Sequence, residues 1–332
     1  MVLKVGIVGV GGMGSGHASR YLQLPNAQIT AIADLIPERL HARAPIEINI
    51  ASKPVTFDFS DVAKFSEARD LIAEADVDVV DICLPTDLHA PYAIQALEAG
   101  RHVICEKPMA LNVRDAERMV AAAESADRVL MIAQCLRFWP EYDFLRDQIK
   151  RQTFGRLLSL NMSRIGGMPA WSPDNWFLDP ARSGGALLDL HIHDVDFVNS
   201  VLGLPDKIYA TGRCSEDSRA DNIIHACFSY ADGPQVHMHA GWSGAQVPFA
   251  ASFDAWFDRA FIRYYDGVLT VFEDRDHVTG KVPDYPQSDA YLNEIAYFLH
   301  CVEAGEPPTR CHPRSVRDSM ALVAQEAAMM AR

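Results

Sequence analysis

The sequence predicts an α/β protein in two parts, a doubly wound parallel sheet followed by an α+β domain with a large, mainly antiparallel sheet. Three observations support this fold class. The first 135 residues alternate short β-type runs with helix-type runs, as parallel strands with crossover helices do. Residues 136–332 contain β-type runs joined by tight turns, which is typical of antiparallel pairing. The length of 332 residues exceeds that of one ordinary domain, so we expect domains at 1–135 and 136–332.

The N-terminal part contains five strand predictions. Val77–Pro85 is almost continuously apolar, as a strand buried on both faces should be. Gly100 and Asn112 supply a helix C-cap and a helix N-cap. The predicted strands are Lys4–Val10, Ala27–Asp34, Val77–Pro85, 102–106 and Val129–Cys135, and the predicted helices cover residues 13–24, 89–100 and 112–126.

The C-terminal part is predicted to begin with a helix near Glu141–Lys150 and to end with helices at 289–305 and 313–332. Ala231–Gln235 and Tyr265–Val268 both contain an Asp-Gly pair, so we expect a hairpin turn at each. The β-type runs between the helices are 156–165, 207–214, 222–242 and 261–274.

Charge and cysteine usage limit the function classes. The formal charge of 30 − 44 = −14 argues against nucleic acid or an anionic membrane as a partner. No stretch approaches the roughly 18 consecutive apolar residues of a membrane span. The seven cysteines form no C-x-x-C pair, so we expect reduced thiols in a soluble, cytoplasmic protein.

A glycine-rich turn follows the first predicted strand. Gly9, Gly11 and Gly14 match the G-x-G-x-x-G pattern that binds a dinucleotide pyrophosphate at a helix N-terminus. The residues between them, Gly12 and Met13, would lie in the same cofactor-binding turn. A glycine-rich turn without a ligand is the structural alternative.

Asp34 ends the second predicted strand, 34 − 14 = 20 residues after the last glycine of the pattern. This is the place of the acid that hydrogen-bonds the adenosine ribose, and a carboxylate there would repel a 2′-phosphate. The residues after Asp34 offer no arginine until Arg39. The sequence therefore favours NAD over NADP.

Two further segments carry candidate chemistry. Glu106 and Lys107 follow a predicted parallel strand, where side chains point into the ligand crevice, although a surface ion pair is an alternative. Asp189 and His193 are four residues apart, so on an α-helix they share a face and could handle a proton. A solvated helix face is the alternative for this pair, and we expect Asp194 and Asp196 to be solvated in that way.

Metal binding is not expected at these residues. His191 and His193 are two positions apart and would point in different directions on a helix. His237 and His239 would share one face of a strand and could bind a metal, but we expect them to line the sheet or an interface.

Together, these motifs resemble those of the Gfo/Idh/MocA oxidoreductases. The resemblance is carried in order by "GIVGVGGMG", "AIAD", "CLPTDLHAPYAIQALEAGRHVICEKPMALN", "SGGALLDLHIHDVDFVNSVLG" and "YLNEIAYFLHCVEAGEPP". It implies a Rossmann domain, then a domain with an open, mainly antiparallel sheet that often serves as an oligomer interface. A homodimer or homotetramer through this sheet is therefore expected.

The resemblance also implies the site. Lys107, in a Glu-Lys-Pro triplet whose lysine–proline bond is typically cis, Asp189 and His193 match the catalytic residues of the family. The residues implied to contact the cofactor, beyond the glycine turn and Asp34, are Leu84, Pro85, Thr86, His89, Glu106 and Lys107. The candidate substrate contacts are Arg137, Arg164, Trp176 and His191. His191 departs from the small residue common in relatives, and Pro85-Thr86 departs from the usual Thr-Pro.

The implied activity is hydride transfer between NAD and a secondary alcohol or ketone of a sugar or cyclitol. His193 would accept the hydroxyl proton, Asp189 would assist it, and Lys107 would donate a hydrogen bond to the substrate oxygen. An NAD-dependent glycoside hydrolase and a non-catalytic, cofactor-sensing regulator on the same scaffold are the alternatives.

Overall fold

The structure, a computed structural model, describes residues 2–41, 59–169, 172–216, 218–273 and 276–331. Its contacts group the chain into two units. The first unit is Met1–Cys135 with Asp289–Arg317, and the second is Leu136–Ser288 with Asp318–Arg332. Among the described residues, no helix is both long and apolar enough to cross a membrane.

The first unit contains a six-stranded sheet in which every strand pair is parallel. The strand order β3-β2-β1-β4-β5-β6 places β1 in the middle, with later strands added on both sides. This confirms the predicted doubly wound sheet. The strands are β1 Leu3–Val8, β2 Ala27–Ala33, β3 Ala63–Phe65, β4 Val79–Ile82, β5 His102–Glu106 and β6 Leu130–Ala133.

Helices alternate with these strands as the sequence predicts, although the helix Ala68–Glu74 was not itself predicted. The side chain of Asn112 accepts a hydrogen bond from the backbone N–H of Asp115, which confirms the predicted N-cap. Strand β3 was not predicted, because a three-residue run with one lysine carries too little pattern. The helices of this unit are α1 Gly12–Tyr21, α2 Ala68–Glu74, α3 His89–Glu98, α4 Val113–Ala126 and α8 Ala290–Ala304.

The helix α8 is grouped with the first unit, although it lies far along the chain. Asp289, at its N-cap, forms a 2.8 Å ion pair with Arg20 of α1. The sequence predicts instead that all residues after 135 form one continuous second domain, since chain order alone does not show which sheet a late helix packs on.

The second unit is built on an eight-stranded sheet in the order β14-β13-β12-β11-β7-β10-β9-β8. Its pairs are antiparallel except for β7 with β10, which confirms the mainly antiparallel sheet. The strands are β7 Leu157–Gly167, β8 Lys207–Arg213, β9 Ile223–Ser229, β10 Gln235–Ser243, β11 Ala250–Phe257, β12 Phe261–Tyr265, β13 Val268–Phe272 and β14 Gly280–Lys281.

Both predicted hairpins form. Asp266 and Gly267 connect β12 and β13 with φ values of 50° and 75°, the left-handed conformation that an Asp-Gly hairpin turn requires. The other Asp-Gly turn, at Asp232 and Gly233, joins the antiparallel strands β9 and β10.

One face of this sheet is covered by helices. Ala186 and Leu190 pack against Ile224, Ala240 and Trp242 of β9 and β10. The other helices of the unit are α5 Pro140–Arg151, α6 Pro180–Ser183 and α7 Ile192–Leu202, and α9 spans Pro313–Met330.

The segment that carries Asp189 and His193 is not a uniform α-helix. Leu187–His191 forms one π-helical turn that continues directly into α7. A π turn has one more residue per hydrogen-bonded ring than an α turn, so the spacing of four residues no longer fixes a shared face. The predicted helix therefore exists, but its phase changes between these two residues.

The expectation that Asp194 and Asp196 are solvated is wrong. Both side chains are buried, and each carboxylate is held by one guanidinium. The Asp196 oxygens accept two 2.7 Å hydrogen bonds from Arg137. Asp194 accepts hydrogen bonds of 2.8 and 3.3 Å from Arg164. The sequence could not show this, because each arginine comes from a segment 30 to 59 residues away.

These pairs generate a stability prediction. Replacing Asp196→Ala leaves the Arg137 guanidinium buried without its carboxylate, so we expect the free energy of unfolding to fall by about 3–5 kcal/mol. Urea denaturation followed by circular dichroism measures this loss. Asp284→Ala, at an exposed position, is the matched control and should change stability by less than about 0.5 kcal/mol. Equal stabilities of the two variants would contradict the buried pair.

Candidate active site

The glycine-rich turn brings β1, β4 and α1 into close contact. Gly9 has a φ of +87°, and a Cβ placed there would lie 2.4 Å from the carbonyl oxygen of Cys83. A Cβ at Gly14 would lie 1.9 Å from the carbonyl oxygen of Gly9. Both positions therefore exclude any side chain, as the tight turn and the close helix–strand packing of a dinucleotide site require.

The N-terminus of α1 has no side-chain cap. Gly11 is its N-cap residue. The nearest atoms to a Cβ at Gly11 all belong to the Arg39 side chain, from 3.3 Å. The first-turn amides, which include Gly12, Met13 and Gly14, have no partner inside the helix and favour an anion. This arrangement fits a pyrophosphate.

Asp34 lies beside this turn, with its carboxylate fixed by the backbone. One oxygen accepts a 3.0 Å hydrogen bond from the Val10 N–H, and the other accepts a 2.9 Å bond from the Ile36 N–H. Arg39 also reaches Asp34, at 3.4 Å. The sequence analysis treats Arg39 as too far along the chain from Asp34 to contact a cofactor phosphate. In the structure, the short 3₁₀ helix Pro37–Leu40 brings Arg39 back to the glycine-rich turn. The site thus holds both an acceptor for a ribose hydroxyl and a guanidinium suited to a 2′-phosphate.

Beneath the turn, His17 of α1 is enclosed by two carboxylates. Its Nδ1 lies 2.9 Å from Asp81 of β4, and its Nε2 lies 3.1 Å from Glu106 at the end of β5. Burial lowers the pKa of His17, but the contacts with Asp81, and next with Cys83, together outweigh burial, and the pKa is raised well above 6.5. His17 is therefore a buried imidazolium that joins a helix to two neighbouring strands.

A third carboxyl group faces this network from α8. Burial, and next the charge of Glu106, raise the pKa of Glu294 well above 4.5. The raised pKa favours the protonated form of Glu294 over the carboxylate, and His17 lies between the Asp81 and Glu106 carboxylates.

The same region contains a possible set of metal ligands. One ligand atom each from His17, Asp81 and Cys83 lies within 4.8 Å of the others. However, the Cys83 thiol is 3.3 Å from an Asp81 oxygen, and burial, then Asp81, raise the pKa of Cys83. The thiol therefore stays protonated, and these contacts are those of a hydrogen-bonded network.

Lys107 follows directly from this network. Its backbone N–H donates a 3.0 Å hydrogen bond to the Glu106 carboxylate, and the Lys107–Pro108 peptide bond is cis, as the family resemblance implies. The His89 ring nitrogens lie 2.7 Å from the carbonyl oxygen of Pro108 and 2.8 Å from that of Leu84. His89 is buried, so its geometry favours holding the Leu84 and Pro108 segments together over a direct cofactor contact. Thr86 is buried beside it.

Asp189 and His193 both belong to the second unit and are half-buried. Asp189 lies in the π turn and His193 in the first turn of α7. The π turn is preceded by Gly184 and Gly185, whose φ values are +76° and +67°. A Cβ at Gly184 would lie 2.3 Å from the Leu188 side chain, so a glycine is needed where the chain enters this turn.

The four candidate substrate residues have different surroundings. Arg137 and Arg164 are buried in the ion pairs that hold α7, which favours a structural role for both. The half-buried Trp176 ring stacks on Phe177 at 3.9 Å. A substrate contact for any of these three stays a prediction.

His191 is fully buried, with its Nε2 3.0 Å from a carboxylate oxygen of Glu326 in α9. Burial lowers its pKa, but the charge and the hydrogen bond of Glu326, with the nearby Asp194, together outweigh burial, and the net shift is upward. The pair favours a structural role for His191 over the substrate role that the sequence predicts.

Two family descriptions match the chain. Residues 3–134 match the oxidoreductase family with an NAD-binding Rossmann fold, and residues 142–258 match the GFO/IDH/MocA C-terminal domain. The chain belongs to the Gfo/Idh/MocA family. The resemblance carried by the sequence motifs is thereby confirmed.

Individual members of the family are similar over nearly the whole chain. A myo-inositol 2-dehydrogenase of Thermotoga maritima is 29% identical over 336 residues, which cover 92% of this chain and 90% of that protein. A D-xylose 1-dehydrogenase (NADP(+)) of Haloferax volcanii is 26% identical over 312 residues, with 92% and 91% covered. The structure of a levoglucosan dehydrogenase in complex with NADH and levoglucosan has the same fold, with a TM-score of 0.83, 22% identity and coverage of 99% and 98%.

Sequence reasoning missed the residues that act through tertiary contacts. Arg39 and the network of His17, Asp81 and Glu294 have no motif of their own. One signal was available for His17: it is a histidine three residues after Gly14, on the helix that must pack on the strands carrying Asp81 and Glu106.

The network predicts a pH-dependent loss of stability on substitution. His17→Gln leaves two buried carboxylates without their cation, so we expect a loss of about 3–5 kcal/mol. Because the pKa of His17 is raised in the folded state, its contribution is complete below 6.5 and is lost as the pH rises through the folded value. Urea denaturation at several pH values should therefore show a difference from wild type that narrows under alkaline conditions.

The exposed His300 provides the control for that experiment. His300→Gln should match wild type at every pH. A His17→Gln difference that stays constant, or widens, at high pH would contradict the buried imidazolium.

Proposed function

We propose that the chain is an NAD-dependent dehydrogenase or reductase acting on a secondary alcohol or ketone of a sugar or cyclitol. The observation that carries the proposal is the uncapped α1 N-terminus beside the fixed Asp34 carboxylate, in a chain that also has Lys107, Asp189 and His193 at the family positions. The relatives support the substrate class, because they are named for dehydrogenation of an inositol, a pentose and an anhydrosugar.

The three catalytic residues have complementary chemistry. When bound, the nicotinamide cofactor accepts or donates the hydride. His193 accepts the hydroxyl proton, since an imidazole titrates near neutral pH, and Asp189 hydrogen-bonds and stabilises the resulting charge. Lys107 donates to the substrate oxygen and stabilises the negative charge that develops there. Glu106 and His17 orient Lys107 through the backbone of β5.

We propose NAD as the preferred cofactor. Both Asp34 oxygens accept backbone hydrogen bonds, so the carboxylate stays in place and opposes a 2′-phosphate. Arg39 is already paired with Asp34, which keeps its guanidinium from acting as a free phosphate site. Arg39 nevertheless makes the preference easy to change by one substitution.

The assembly and location are proposed on separate grounds. Several large side chains are exposed on the second-unit sheet, among them Tyr209, Trp256 and Tyr265, which supports a homodimer or homotetramer through this sheet. All seven cysteines are free thiols, which supports a reducing compartment such as the cytoplasm.

The proton-transfer role predicts the behaviour of one variant. His193→Ala should lower kcat by about 10²–10⁴-fold, because a positioned general base contributes about that factor. The dissociation constant for NADH should stay the same, since His193 lies outside the unit that holds the glycine turn. Initial rates with myo-inositol, levoglucosan and D-xylose measure kcat, and fluorescence titration measures the dissociation constant for NADH. His300→Ala is the control, and near wild-type turnover by His193→Ala would exclude this role.

The Asp34–Arg39 pair predicts a change of cofactor preference. Asp34→Ala should weaken NAD binding and strengthen NADP binding, because it removes the acceptor and releases Arg39 for the 2′-phosphate. The double variant Asp34→Ala with Arg39→Ala should lose the gain for NADP. Kinetics with both cofactors test this, and a gain that survives in the double variant would show that Arg39 is not its source.

A further inference from the structure

Two neighbouring strands bring four possible metal ligands onto one face of the second-unit sheet. In the β9–β10 register, His225 is directly opposite His239, and Cys227 is directly opposite His237. Successive side chains on a strand alternate between faces, so all four point away from the helix-covered side. Their immediate neighbours Ile224, Ala226, Val236, Met238 and Ala240 are the buried residues of the other face.

The side chains of this tetrad, His225, Cys227, His237 and His239, already meet in pairs. The imidazole rings of His225 and His239 are nearly parallel, with centroids 4.3 Å apart and an interplanar angle of 7°. The Cys227 Sγ lies 3.2 Å from His237 Nδ1. Burial, and next the neighbouring His225, lower the pKa of His239, which favours the neutral ring that binds metals.

The spacing of the tetrad suits one ion. Opposite residues have Cβ atoms about 4.5–5.5 Å apart, and alternate residues on one strand are about 7 Å apart. A metal held at about 2.0–2.3 Å from nitrogen and sulfur is within reach of side chains arranged in that way. The two pairs do not share one centre in the structure, so binding requires side-chain rotation. His225 and His237 are exposed in the single chain, where such side chains change rotamer rapidly. The proposed assembly through this sheet would place the tetrad, and the ion, at the interface between copies of the chain.

The surroundings do not oppose a cation. The register positions that flank the tetrad carry Tyr209 and Thr211 on β8 and Asn161 and Ser163 on β7. All four are uncharged, so no lysine or arginine lies directly opposite a member of the tetrad in either neighbouring strand.

We propose that His225, Cys227, His237 and His239 form a binding site for a borderline divalent metal ion such as Zn²⁺. Three imidazoles and one thiolate are a ligand set that Zn²⁺ accepts in tetrahedral geometry. The Cys227 thiol gives up its proton to solvent when the Sγ–metal bond forms. The bound ion cross-links β9 and β10, and it is separate from the residues proposed for hydride transfer.

Cobalt provides the first test, because Co²⁺ substitutes for Zn²⁺ and absorbs visible light in a tetrahedral thiolate site. The full chain, freed of metal with a chelator and kept in its native assembly, should bind one Co²⁺ per chain with a thiolate-to-cobalt charge-transfer band. Added Zn²⁺ should displace the ion. Absence of binding would overturn the proposal.

Matched variants locate the site. Cys227→Ser should remove the charge-transfer band. His239→Ala should weaken Co²⁺ binding by at least about tenfold, because the loss of even an outer-shell partner lowers metal affinity by about 10–100-fold. Cys214→Ser and His300→Ala, at exposed positions elsewhere, should leave both quantities unchanged. An unchanged spectrum in Cys227→Ser, or its loss in Cys214→Ser, would place the metal elsewhere and contradict the tetrad.

The wild-type chain offers a test that needs no substitution. Zn²⁺ should slow the alkylation of Cys227 by iodoacetamide, while the exposed Cys214 is alkylated at the same rate with and without Zn²⁺. Peptide mass spectrometry measures both rates. Equal rates at Cys227 with and without Zn²⁺ would overturn the proposal. None of these measurements depends on turnover, so they are independent of the proposed dehydrogenase activity.

Discussion

The buried contact of His17 with Asp81 and Glu106 is the interaction on which the candidate cofactor site depends. It joins α1, whose N-terminus has no side-chain cap, to β4 and β5, whose carboxyl ends carry the segments around Leu84 and Lys107. Two carboxylates in an apolar interior would repel each other strongly, and one imidazolium between them turns this repulsion into attraction. The position of Lys107 follows from it, because Glu106 accepts the Lys107 N–H.

The second unit also contains buried charged side chains that are balanced by ion pairs. Asp194 and Asp196 are buried on α7, and each is balanced by one arginine, while His191 is balanced by Glu326. These three contacts fix the π turn and α7 in orientation, and that segment carries Asp189 and His193. Ionic contacts in a dry interior have strict geometric demands, which suits a segment that carries the two residues proposed for proton transfer.

Much of the fold was predictable from local pattern. Gly9, Gly14 and Asp34 can be predicted from their spacing in the sequence alone. The tight turn requires the two glycines, and Asp34 directly follows β2. The phase of the helix around Asp189 was not predictable, because a π turn leaves no trace in apolar periodicity. The partners of Arg39, Asp194 and His191 depend on which segments the tertiary fold brings together. The tetrad required the β9–β10 register, which pairs His225 and Cys227 with two histidines that the sequence had already singled out.

The most direct test of the central claim follows the hydrogen on the reacting carbon. The chain is incubated with NAD⁺ and carbon-deuterated myo-inositol, levoglucosan or D-xylose, and the reduced cofactor is analysed by mass spectrometry. The account predicts NADH that carries one deuterium for each molecule of ketone or lactone formed, and unlabelled NADH from the unlabelled polyol. Conversion of these deuterated substrates without net formation of deuterium-labelled NADH would contradict it, since the hydride would then not pass from the reacting carbon to the cofactor as a net oxidation.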